Sequence, residues 1–211
     1  MYHVLFEQLS RSNKIPRKLL PKRNIQIIDA TTIDLCLSAF DWALFRQRKG
    51  AIKLHTVLDF DGCMPSFLEM SDGKKHDVKA AREMEFLKGS VVVANRAYVD
   101  FSWMNTLDEQ GVLFVIRGKE NIQMELEQRT SRPTDQNNEL IYGDSDINLT
   151  GPVTKKKYPK KLRMVQVWDE EQGIYLELLT NNFTWTASTI AELYKRRWQI
   201  ESFFKELKTH L

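Results

Sequence analysis

The stretch Leu193–Leu211, LYKRRWQIESFFKELKTHL, has the pattern of an amphipathic α-helix. At about 100° of rotation per residue, its apolar residues form one stripe, and they are Leu193, Ile200, Phe203, Phe204, Leu207 and Leu211. A second group falls beside that stripe, within an arc of roughly 60° on the same wheel, and its members are Tyr194, Arg197, Glu201 and Lys208. The stretch therefore predicts a helix that packs on a core and presents a phenol, a guanidinium, a carboxylate and an ammonium side by side.

The polar stripe has two interpretations. Arg197 and Glu201 are spaced i,i+4, which is typical of a surface ion pair worth roughly a few tenths of a kcal/mol. Taken alone, the periodicity slightly favours such a surface ladder over a functional site. Trp198 lies at the rim of the stripe, where it is compatible with stacking on a displaced base or with simple packing. One helix does not decide between these interpretations.

Composition excludes some classes of protein. The 211 residues, 42% hydrophobic and 28% charged, are typical of a soluble globular protein with one core of ordinary size. No apolar run approaches the ~20 residues that a membrane span needs, and no signal peptide opens the chain, so we expect no membrane association. Cys36 and Cys63 lack the paired spacing of a zinc site or a disulfide framework. We therefore expect a reducing, cytosolic setting.

Charge alone says little about partners. The net charge is only +3, which gives weak support for a polyanionic ligand. The basic residues are nevertheless clustered, in the runs Arg46–Lys53, Lys155–Arg163 and Tyr194–Trp198. Such runs are usually solvated surface, and this interpretation is favoured for any one of them taken singly.

Segments with the patterns of strands and helices alternate between residues 24 and 118. Strands are predicted at 24–35, 51–60, 64–70, 90–95 and 112–118, and helices at 76–89 and 99–111. The Asp61-Gly62 pair is a hairpin signal between the second and third strands. In the first strand Ile25, Ile27 and Asp29 have the same parity, so they share one face if the strand is regular.

From about residue 119 to 183 the pattern changes to turn residues, prolines and short alternating segments, with strands predicted at 161–169 and 174–182. We interpret this segment as a β-rich insertion that lies outside the central sheet. A single helix beginning near Trp185 closes the chain. The order of elements predicts a mixed α/β fold, with a sheet that is flanked by helices.

The position of Asp29 suits a metal site, because functional groups in such sheets gather at strand ends. Phosphodiester chemistry on DNA commonly uses two Mg²⁺ ions about 4 Å apart. Hard cations of this kind are held by carboxylate oxygens. Two strand aspartates and one helix glutamate would supply those oxygens.

The C-terminal stripe and several other segments of the sequence resemble those of a known family. Tyr194, Arg197, Glu201 and Lys208 reproduce the spacing Tyr-x2-Arg-x3-Glu-x6-Lys, the YREK signature of bacterial insertion-sequence DDE transposases. IDATTIDL (28–35) resembles the family's first-aspartate strand, and VVVANRAYVD (91–100) resembles its second-aspartate block. VLFVIRGKEN (112–121) and LTNNF (179–183) resemble the next strand and the return from the insertion. The resemblance extends from about residue 24 to residue 211 and is to the catalytic domain.

The resemblance implies a ribonuclease-H-like fold with a β-rich insertion before the glutamate helix. It divides the chain into a remnant of an N-terminal region (1–24), a catalytic core (25–118 and 184–211) and the insertion (119–183). It also implies that the chain is a fragment or a trimmed or decayed copy, because full family members have further regions at both ends.

The resemblance also assigns roles to residues. Asp29, Asn95 and Glu201 take the catalytic, metal-ligand positions for two Mg²⁺ or Mn²⁺ ions. Tyr194, Arg197 and Lys208 would hold phosphates of the transposon end. Trp198, Arg96, Arg117 and Lys119 are further candidates for DNA binding, the last three because they follow strands that should end near the site.

The implied activity is cut-and-paste DNA transposition. Hydrolysis at the transposon end frees a 3′-hydroxyl that attacks target DNA, through a hairpinned DNA intermediate and without a covalent enzyme intermediate. The implied partners are double-stranded DNA of the transposon ends and target, and a second copy of the chain in a synaptic dimer. The implied location is a bacterial cytoplasm, in association with the nucleoid.

One departure from the family pattern bears on activity. The second acidic position is Asn95, which offers a carbonyl oxygen but no negative charge. We expect this change to cost two or more decades in activity, roughly 3 kcal/mol or more. A second hypothesis is therefore a non-catalytic DNA-binding remnant, and a third is a ribonuclease-H-like nuclease unrelated to transposition, which would have no need of the YREK stripe.

Overall fold

The computed structural model describes residues 23–34, 51–60, 64–72, 75–127, 140–170 and 172–209. Within these ranges the strands are β1 (Ile25–Asp34), β2 (Ala51–Asp59), β3 (Met64–Asp72), β4 (Val91–Ala94), β5 (Leu113–Arg117), β6 (Met124–Glu127), β7 (Ile141–Leu149), β8 (Leu162–Asp169) and β9 (Ile174–Thr180). The helices are α1 (Asp77–Ala81), α2 (Phe101–Glu109), α3 (Pro152–Lys157), α4 (Ala187–Lys195) and α5 (Trp198–Thr209), with a 3₁₀ turn at Arg96–Tyr98. Most of the predicted N-terminal remnant, 1–24, lies outside the described residues.

The strands form one sheet in the order β3-β2-β1-β4-β5-β9-β8-β7-β6. β1, β4 and β5 are parallel neighbours, whereas the outer strands pair antiparallel. In this parallel centre Ile28 pairs with Ala94, and Ala94 pairs with Ile116. The residues that follow these three, which are Asp29, Asn95 and Arg117, therefore lie level with one another at one edge of the parallel centre.

Each face of the sheet has its own core. Ile28, Val92 and Phe114 pack with residues of α1 and α2 on one face. Ile27 and Val93 pack with Ile190, Leu193, Ile200 and Phe204 of the C-terminal helices on the other face. Because side chains alternate along a strand, Asp29 has the parity of Ile27, and it faces the C-terminal helices as expected.

The insertion is rich in β structure, since β6, β7, β8 and β9 all fall between 119 and 183. The expectation that it lies outside the central sheet is wrong. β9 pairs antiparallel with β5, with Val115 opposite Thr180, and β8, β7 and β6 extend the sheet from there. Pairing with β9 satisfies the hydrogen-bonding edge that β5 would otherwise expose.

The predicted C-terminal helix is in fact two helices. α4 ends at Lys195, α5 begins at Trp198, and a turn at Arg196-Arg197 separates them. The amide of Arg197 donates to the carbonyl of Tyr194 at 3.0 Å, and that of Ile200 donates to the carbonyl of Arg197 at 3.1 Å. These are i→i−3 bonds, which tighten the chain locally. The helical wheel drawn through one continuous helix is therefore wrong at the break.

The predicted helix at 76–89 is also shorter than expected. It ends at Ala81, and the following residues alternate, with Met84 and Phe86 packed inward and Glu85 and Leu87 exposed. This period of two is that of extended chain, not of a helix.

In the part of the chain that the structure describes, no helix is long and apolar enough to cross a membrane.

Candidate functional site

Asp29 and Asn95 meet where the parallel part of β1 and the end of β4 lie side by side. The side-chain amide Nδ2 of Asn95 donates to Oδ1 of Asp29 at 2.8 Å. The backbone amide of Ala30 donates to the same carboxylate oxygen, also at 2.8 Å. The side-chain oxygen of Asn95 accepts from the backbone amide of Ala97 at 2.7 Å and so caps the 3₁₀ turn.

The orientation of the Asn95 amide follows from these partners. The backbone N–H of Ala97 requires an acceptor, and the carboxylate of Asp29 requires a donor. Rotating the amide by half a turn would place oxygen against oxygen and N–H against N–H. The network therefore assigns the NH₂ group to the side that faces Asp29.

Arg197 joins the carboxylates of Asp29 and Glu201. Its Nη1 lies 3.1 Å from Oδ2 of Asp29, and its Nη2 lies 2.6 Å from Oε1 of Glu201. Both Asp29 and Arg197 are only 8% exposed. The i,i+4 pair of the surface-ladder interpretation is thus present, but it is extended into the protein by Asp29. The two carboxylates converge on one guanidinium.

Burial dominates the electrostatics of this cluster. It raises the pKa of Asp29 to about 6, with a further increase from the charges of Glu201 and Asp77. The Ala30 amide and the Arg197 guanidinium oppose that increase but do not cancel it. Burial alone would lower the pKa of Arg197, yet Tyr194 and the carboxylates of Glu201 and Asp29 outweigh it, and the net shift is upward. The arginine therefore stays charged between two acidic groups.

Two aromatic rings flank the guanidinium. Cζ of Arg197 lies 5.5 Å from the ring centre of Tyr194 and 6.0 Å from that of Trp198, within the range of cation–π attraction. Tyr194 is buried, and burial raises its pKa. Trp198 is 43% exposed, so the guanidinium lies near one buried aromatic ring and one accessible ring.

The remaining predicted DNA-binding residues are less closely grouped. Arg117 lines a cavity of about 200 Å³ together with Tyr194, Arg197 and Trp198. Arg96 is exposed on the 3₁₀ turn, Lys119 donates from Nζ to the carbonyl of Val99 at 3.2 Å, and Lys208 is exposed near the end of α5. Among the described residues, no hydrogen bond, ion pair or ring contact joins these last three side chains to the Asp29–Arg197 cluster.

Comparison of the sequence with known protein families identifies the family of this chain. The family described as "Transposase DDE domain" matches residues 20–211. This chain belongs to the transposase DDE-domain family.

Two relatives match over the whole chain. The probable transposase for insertion sequence element IS5377 of Geobacillus stearothermophilus is 27% identical over 213 residues, with 100% of this chain and 55% of that protein covered. The putative transposase y4zB of Sinorhizobium fredii is 30% identical over 211 residues, with 100% of this chain and 57% of that protein covered. The chain thus spans little more than half the length of these transposases.

A solved structure supports the fold of this DDE domain. The cryo-EM structure of the piggyBac transposase synaptic complex with hairpin DNA superposes with a TM-score of 0.50, over 97% of this chain and 43% of that chain. The sequence identity is 12%, so the likeness concerns the fold alone. It confirms the predicted ribonuclease-H-like plan, a mixed sheet flanked by helices.

The DDE family implies a divalent-metal centre, and the donor atoms of this chain can be tested against it. Oδ1 of Asp29 accepts two N–H groups and Oδ2 accepts a third, from Asn95, Ala30 and Arg197. Asn95 turns its NH₂ group towards Asp29, and an NH₂ group is no metal ligand. Within the described ranges, no three His, Cys, Asp or Glu side chains are placed to hold a metal ion. The residues of this DDE domain, as arranged, do not fit a two-metal centre.

Sequence reasoning missed two neighbours of Asp29. Thr56 lies directly opposite Asp29 in the β1–β2 ladder, and its buried hydroxyl has no hydrogen-bond partner among the described residues. Asp77 lies close enough to raise the pKa of Asp29 and pairs with Lys53 at 2.6 Å. The β1–β2 pairing would have identified Thr56 if its register had been predictable. Asp77 comes from the separate helix α1, and the sequence carried no signal for it.

The favoured interpretation of the run Lys155–Arg163 as solvated surface is wrong for Arg163, which is fully buried. Its guanidinium binds both oxygens of Asp144 at 2.7 Å. Nη1 also donates to the carbonyls of Asn182 and Trp185, at 3.1 and 2.7 Å. Arg163 therefore ties the insertion strands to the segment that leads into α4. The sequence did contain a signal for this burial, because Arg163 has the same parity along β8 as the core residues Val165 and Val167.

Proposed function

We propose that this chain is the DNA-processing domain of an insertion-sequence transposase that binds transposon-end DNA but, with Asn95 in place, cleaves it poorly. The observation that carries the proposal is the convergence of Asp29, Arg197 and Glu201 beside Asn95. Family membership supplies the reaction class, polynucleotidyl transfer, and the amide N–H donated to Asp29 supplies the reason for weak cleavage.

The reaction proposed for the family pattern is cut-and-paste transposition. Water attacks the phosphorus at the transposon end, the P–O bond to the 3′ oxygen breaks, and that oxygen leaves as a hydroxyl. In strand transfer the 3′-hydroxyl attacks a phosphorus of target DNA, and a target 3′ oxygen leaves. A hairpinned intermediate, a homodimeric synapse and a bacterial, nucleoid-associated location belong to the same proposal. The requirement for Mg²⁺ or Mn²⁺ is proposed for a domain that has aspartate at position 95. It is not proposed for the present chain, which has Asn95.

DNA binding is proposed to begin at the aromatic-flanked guanidinium. Arg197 already binds two separate carboxylates with one nitrogen each, and a DNA phosphate offers two oxygens that a guanidinium binds in the bidentate manner. The buried Tyr194 and the exposed Trp198 both lie near the guanidinium, and Arg117 lines the same cavity. Lys208 would act as a point charge further along α5, about 10 Å beyond Glu201 by helical rise.

The second candidate function is a DNA-binding remnant with no cleavage at all. The hydrogen bond from Asn95 to Asp29 favours it, because it fills the position where the family pattern places a second carboxylate. A nuclease unrelated to transposition is less compatible with the family match over residues 20–211. The first two candidates differ only in residual activity.

The test is nicking of an end-bearing duplex by the parent chain and by Asn95→Asp in buffer with Mg²⁺ or Mn²⁺. We expect both to bind the duplex and the variant to nick at least about 100-fold faster. The control is the double variant Asn95→Asp/Glu201→Gln, which should lose the gained activity and so exclude a contaminating nuclease. Equal and substantial nicking by the parent and Asn95→Asp would overturn the proposal, as would absence of duplex binding by the parent.

A further inference from the structure

A group of cations lies outside the site, on and beside the elements that cover the other face of the sheet. We call it the basic band, and it comprises Arg82, Arg96, Lys119, Lys155, Lys156 and Lys157. It begins at Arg96, the residue next to Asn95, and reaches the last turn of α3. The band is therefore continuous with the edge of the sheet where Asp29 and Asn95 meet.

The segment Val99–Asp100 connects the members of the band. Lys119 donates to the carbonyl of Val99 at 3.2 Å, and Arg82 pairs with Asp100 at 3.0 Å. Burial alone would raise the pKa of Asp100, but the Trp103 amide, then Arg82 and then the charge of Lys157 lower it overall. Asp100 also caps α2 through the amide of Trp103. One carboxylate is thus shared by two cations and a helix cap, and the band keeps an excess of positive charge.

The lysines of α3 differ from their neighbours in sequence. Lys160 pairs with Asp108 at 2.6 Å and Lys161 pairs with Glu127. By contrast, Lys155, Lys156 and Lys157 make no ion pair with any residue of the described ranges, and Lys156 and Lys157 are exposed. The surface interpretation of the run 155–163 therefore applies to its lysines. The first three form no direct ion pair within the described ranges, although the charge of Lys157 acts on Asp100 without one.

α3 holds these charges in a fixed position. The residue that follows it, Tyr158, is buried and packs edge-on against Phe114 of the central sheet, with ring centres 6.4 Å apart. Because Tyr158 anchors the end of the helix, Lys156 and Lys157 project from a defined place beside α2. Because consecutive residues of a helix point about 100° apart, Lys155, Lys156 and Lys157 form a compact cluster of positive charge at the end of α3, and such a cluster attracts a polyanion.

We propose that the basic band is a docking surface for the backbone of duplex DNA that continues away from the reacting end. The inference rests on the proposed function, because it takes the position of the reacting phosphate from the Asp29–Asn95 edge. It adds that the duplex crosses the α2–α3 side of the domain, in addition to the contacts proposed for Arg197 on the α4–α5 side. Because contacts of lysine and arginine to phosphates carry no sequence information, the proposed contacts are independent of DNA sequence.

The experiment measures the binding of an end-bearing duplex by fluorescence anisotropy at several salt concentrations, for the whole chain and two double variants. Lys156→Gln/Lys157→Gln removes two charges from the band and keeps two good helix formers. The matched control, Lys88→Gln/Lys160→Gln, removes two charges at the opposite edge, where Lys88 lies beside Gly111 and Lys160 pairs with Asp108.

Removal of one lysine–phosphate contact should lower the slope of log K against log salt by about 0.9 and, at 0.1 M salt, weaken binding by nearly tenfold. We expect the band variant to lose up to about two units of slope and the control to keep the parent slope. The difference should shrink when the duplex is shortened on the side away from the reacting end. Thermal unfolding should be unchanged in the band variant and at most slightly lowered in the control, which loses the Lys160–Asp108 ion pair.

Two outcomes overturn the inference. If the band variant keeps the parent slope, the duplex does not cross α3, and the surface then serves another partner or none. If both double variants lose slope equally, the effect is one of overall charge. Absence of duplex binding by the parent chain is a separate result, because it contradicts the proposed function itself.

Discussion

The guanidinium of Arg197 donates to the carboxylate of Asp29 across 168 residues of sequence, with Nη1 3.1 Å from Oδ2. The same guanidinium holds Glu201, so one positive charge serves two negative ones inside a buried cluster. Without a metal ion, Arg197 is the counter-ion of the candidate site. A phosphate that binds Arg197 must therefore displace the two carboxylates or share the guanidinium with them.

Removal of Arg197 tests its contribution to the fold. Arg197→Gln leaves Asp29 and Glu201 without their common cation, and breaking a buried ion pair from one side costs about 3 kcal/mol or more. We expect the free energy of unfolding, measured by urea denaturation in EDTA at neutral pH, to fall by that amount. The control is Arg82→Gln, since Arg82 pairs with Asp100 but is half exposed, and exposed pairs are worth at most about 1 kcal/mol. Equal losses in the two variants would contradict a buried counter-ion role.

The raised pKa of Asp29 predicts a pH dependence of stability. The ordinary pKa of an aspartate is 3.8, whereas the pKa of Asp29 in the folded protein is about 6, so between these values the folded state binds a proton that the unfolded chain has released. The contribution of Asp29 to stability is therefore fully present below about pH 4, falls as the pH rises to about 6 and is lost above it, by at most about 1.4 kcal/mol per pH unit.

Asp29→Asn removes this titration. In EDTA, the unfolding free energy of the variant minus that of the parent should rise between pH 4 and pH 6 and stay level above pH 6.5. Glu85→Gln, at an exposed position, should show no such rise. A flat difference curve for Asp29→Asn across the whole range would mean that Asp29 titrates normally in the folded protein.

The sequence predicted the central strands and their role in positioning the site. Period-two alternation in β1 and the continuous apolar run of β4 are strong local signals, and they were enough to place Asn95 at the end of β4. The expectation that Asp29 ends its strand is wrong, because β1 runs on to Asp34; only its parallel pairing with β4 stops at Ile28, next to Asp29. The hydrogen bond between Asn95 and Asp29 follows from the parallel register of β1 and β4, which is a tertiary property. A single sequence offers no means of deriving that register, and the family resemblance supplied the pairing instead.

The features that the sequence did not predict depend on contacts between distant segments. The break at Arg196-Arg197 has no proline or glycine to announce it; in the structure it places Arg197 against Asp29 and Arg196 against Glu192, at 2.6 Å. The continuation of the sheet through β9 depends on which edge of β5 is free. Arg163 was hidden in a basic run whose other members are mostly at the surface.

Arg163 offers a test of the insertion's attachment to the core. Arg163→Met keeps the apolar stem but removes the hydrogen bonds that Arg163 donates to Asp144 and to the carbonyls of Asn182 and Trp185. We expect the unfolding free energy to fall by about 3 kcal/mol or more, as measured by urea denaturation. Lys161→Met, two residues earlier on an exposed side chain that pairs with Glu127, should change it by less than about 1 kcal/mol. A small effect at Arg163 would mean that the insertion is held mainly by strand pairing.

Asn95→Asp should act on stability and on metal affinity in opposite directions. In the metal-free protein the substitution replaces the N–H that Asp29 accepts at 2.8 Å with a carboxylate oxygen. The cap on Ala97 survives, because it uses an oxygen in either residue. The missing hydrogen bond and the new like-charge contact should lower the free energy of unfolding by about 1–3 kcal/mol at neutral pH. This destabilisation should shrink on acidification, when the pair shares a proton.

The same change adds the missing carboxylate, so Mn²⁺ affinity measured by calorimetry without DNA should rise at least about tenfold over that of the parent, because divalent ions favour sites with more carboxylate oxygens. The matched control is Asn105→Asp on α2, where Nδ2 donates to the Glu109 carboxylate at 2.8 Å on the protein surface. This control makes the identical chemical change next to an acid, yet it should cost less stability, because that hydrogen bond is exposed, and gain no comparable Mn²⁺ affinity. Equal affinity in the parent and Asn95→Asp would mean that position 95 does not contact the metal, and the alignment of Asn95 with the second aspartate of the family would then be wrong.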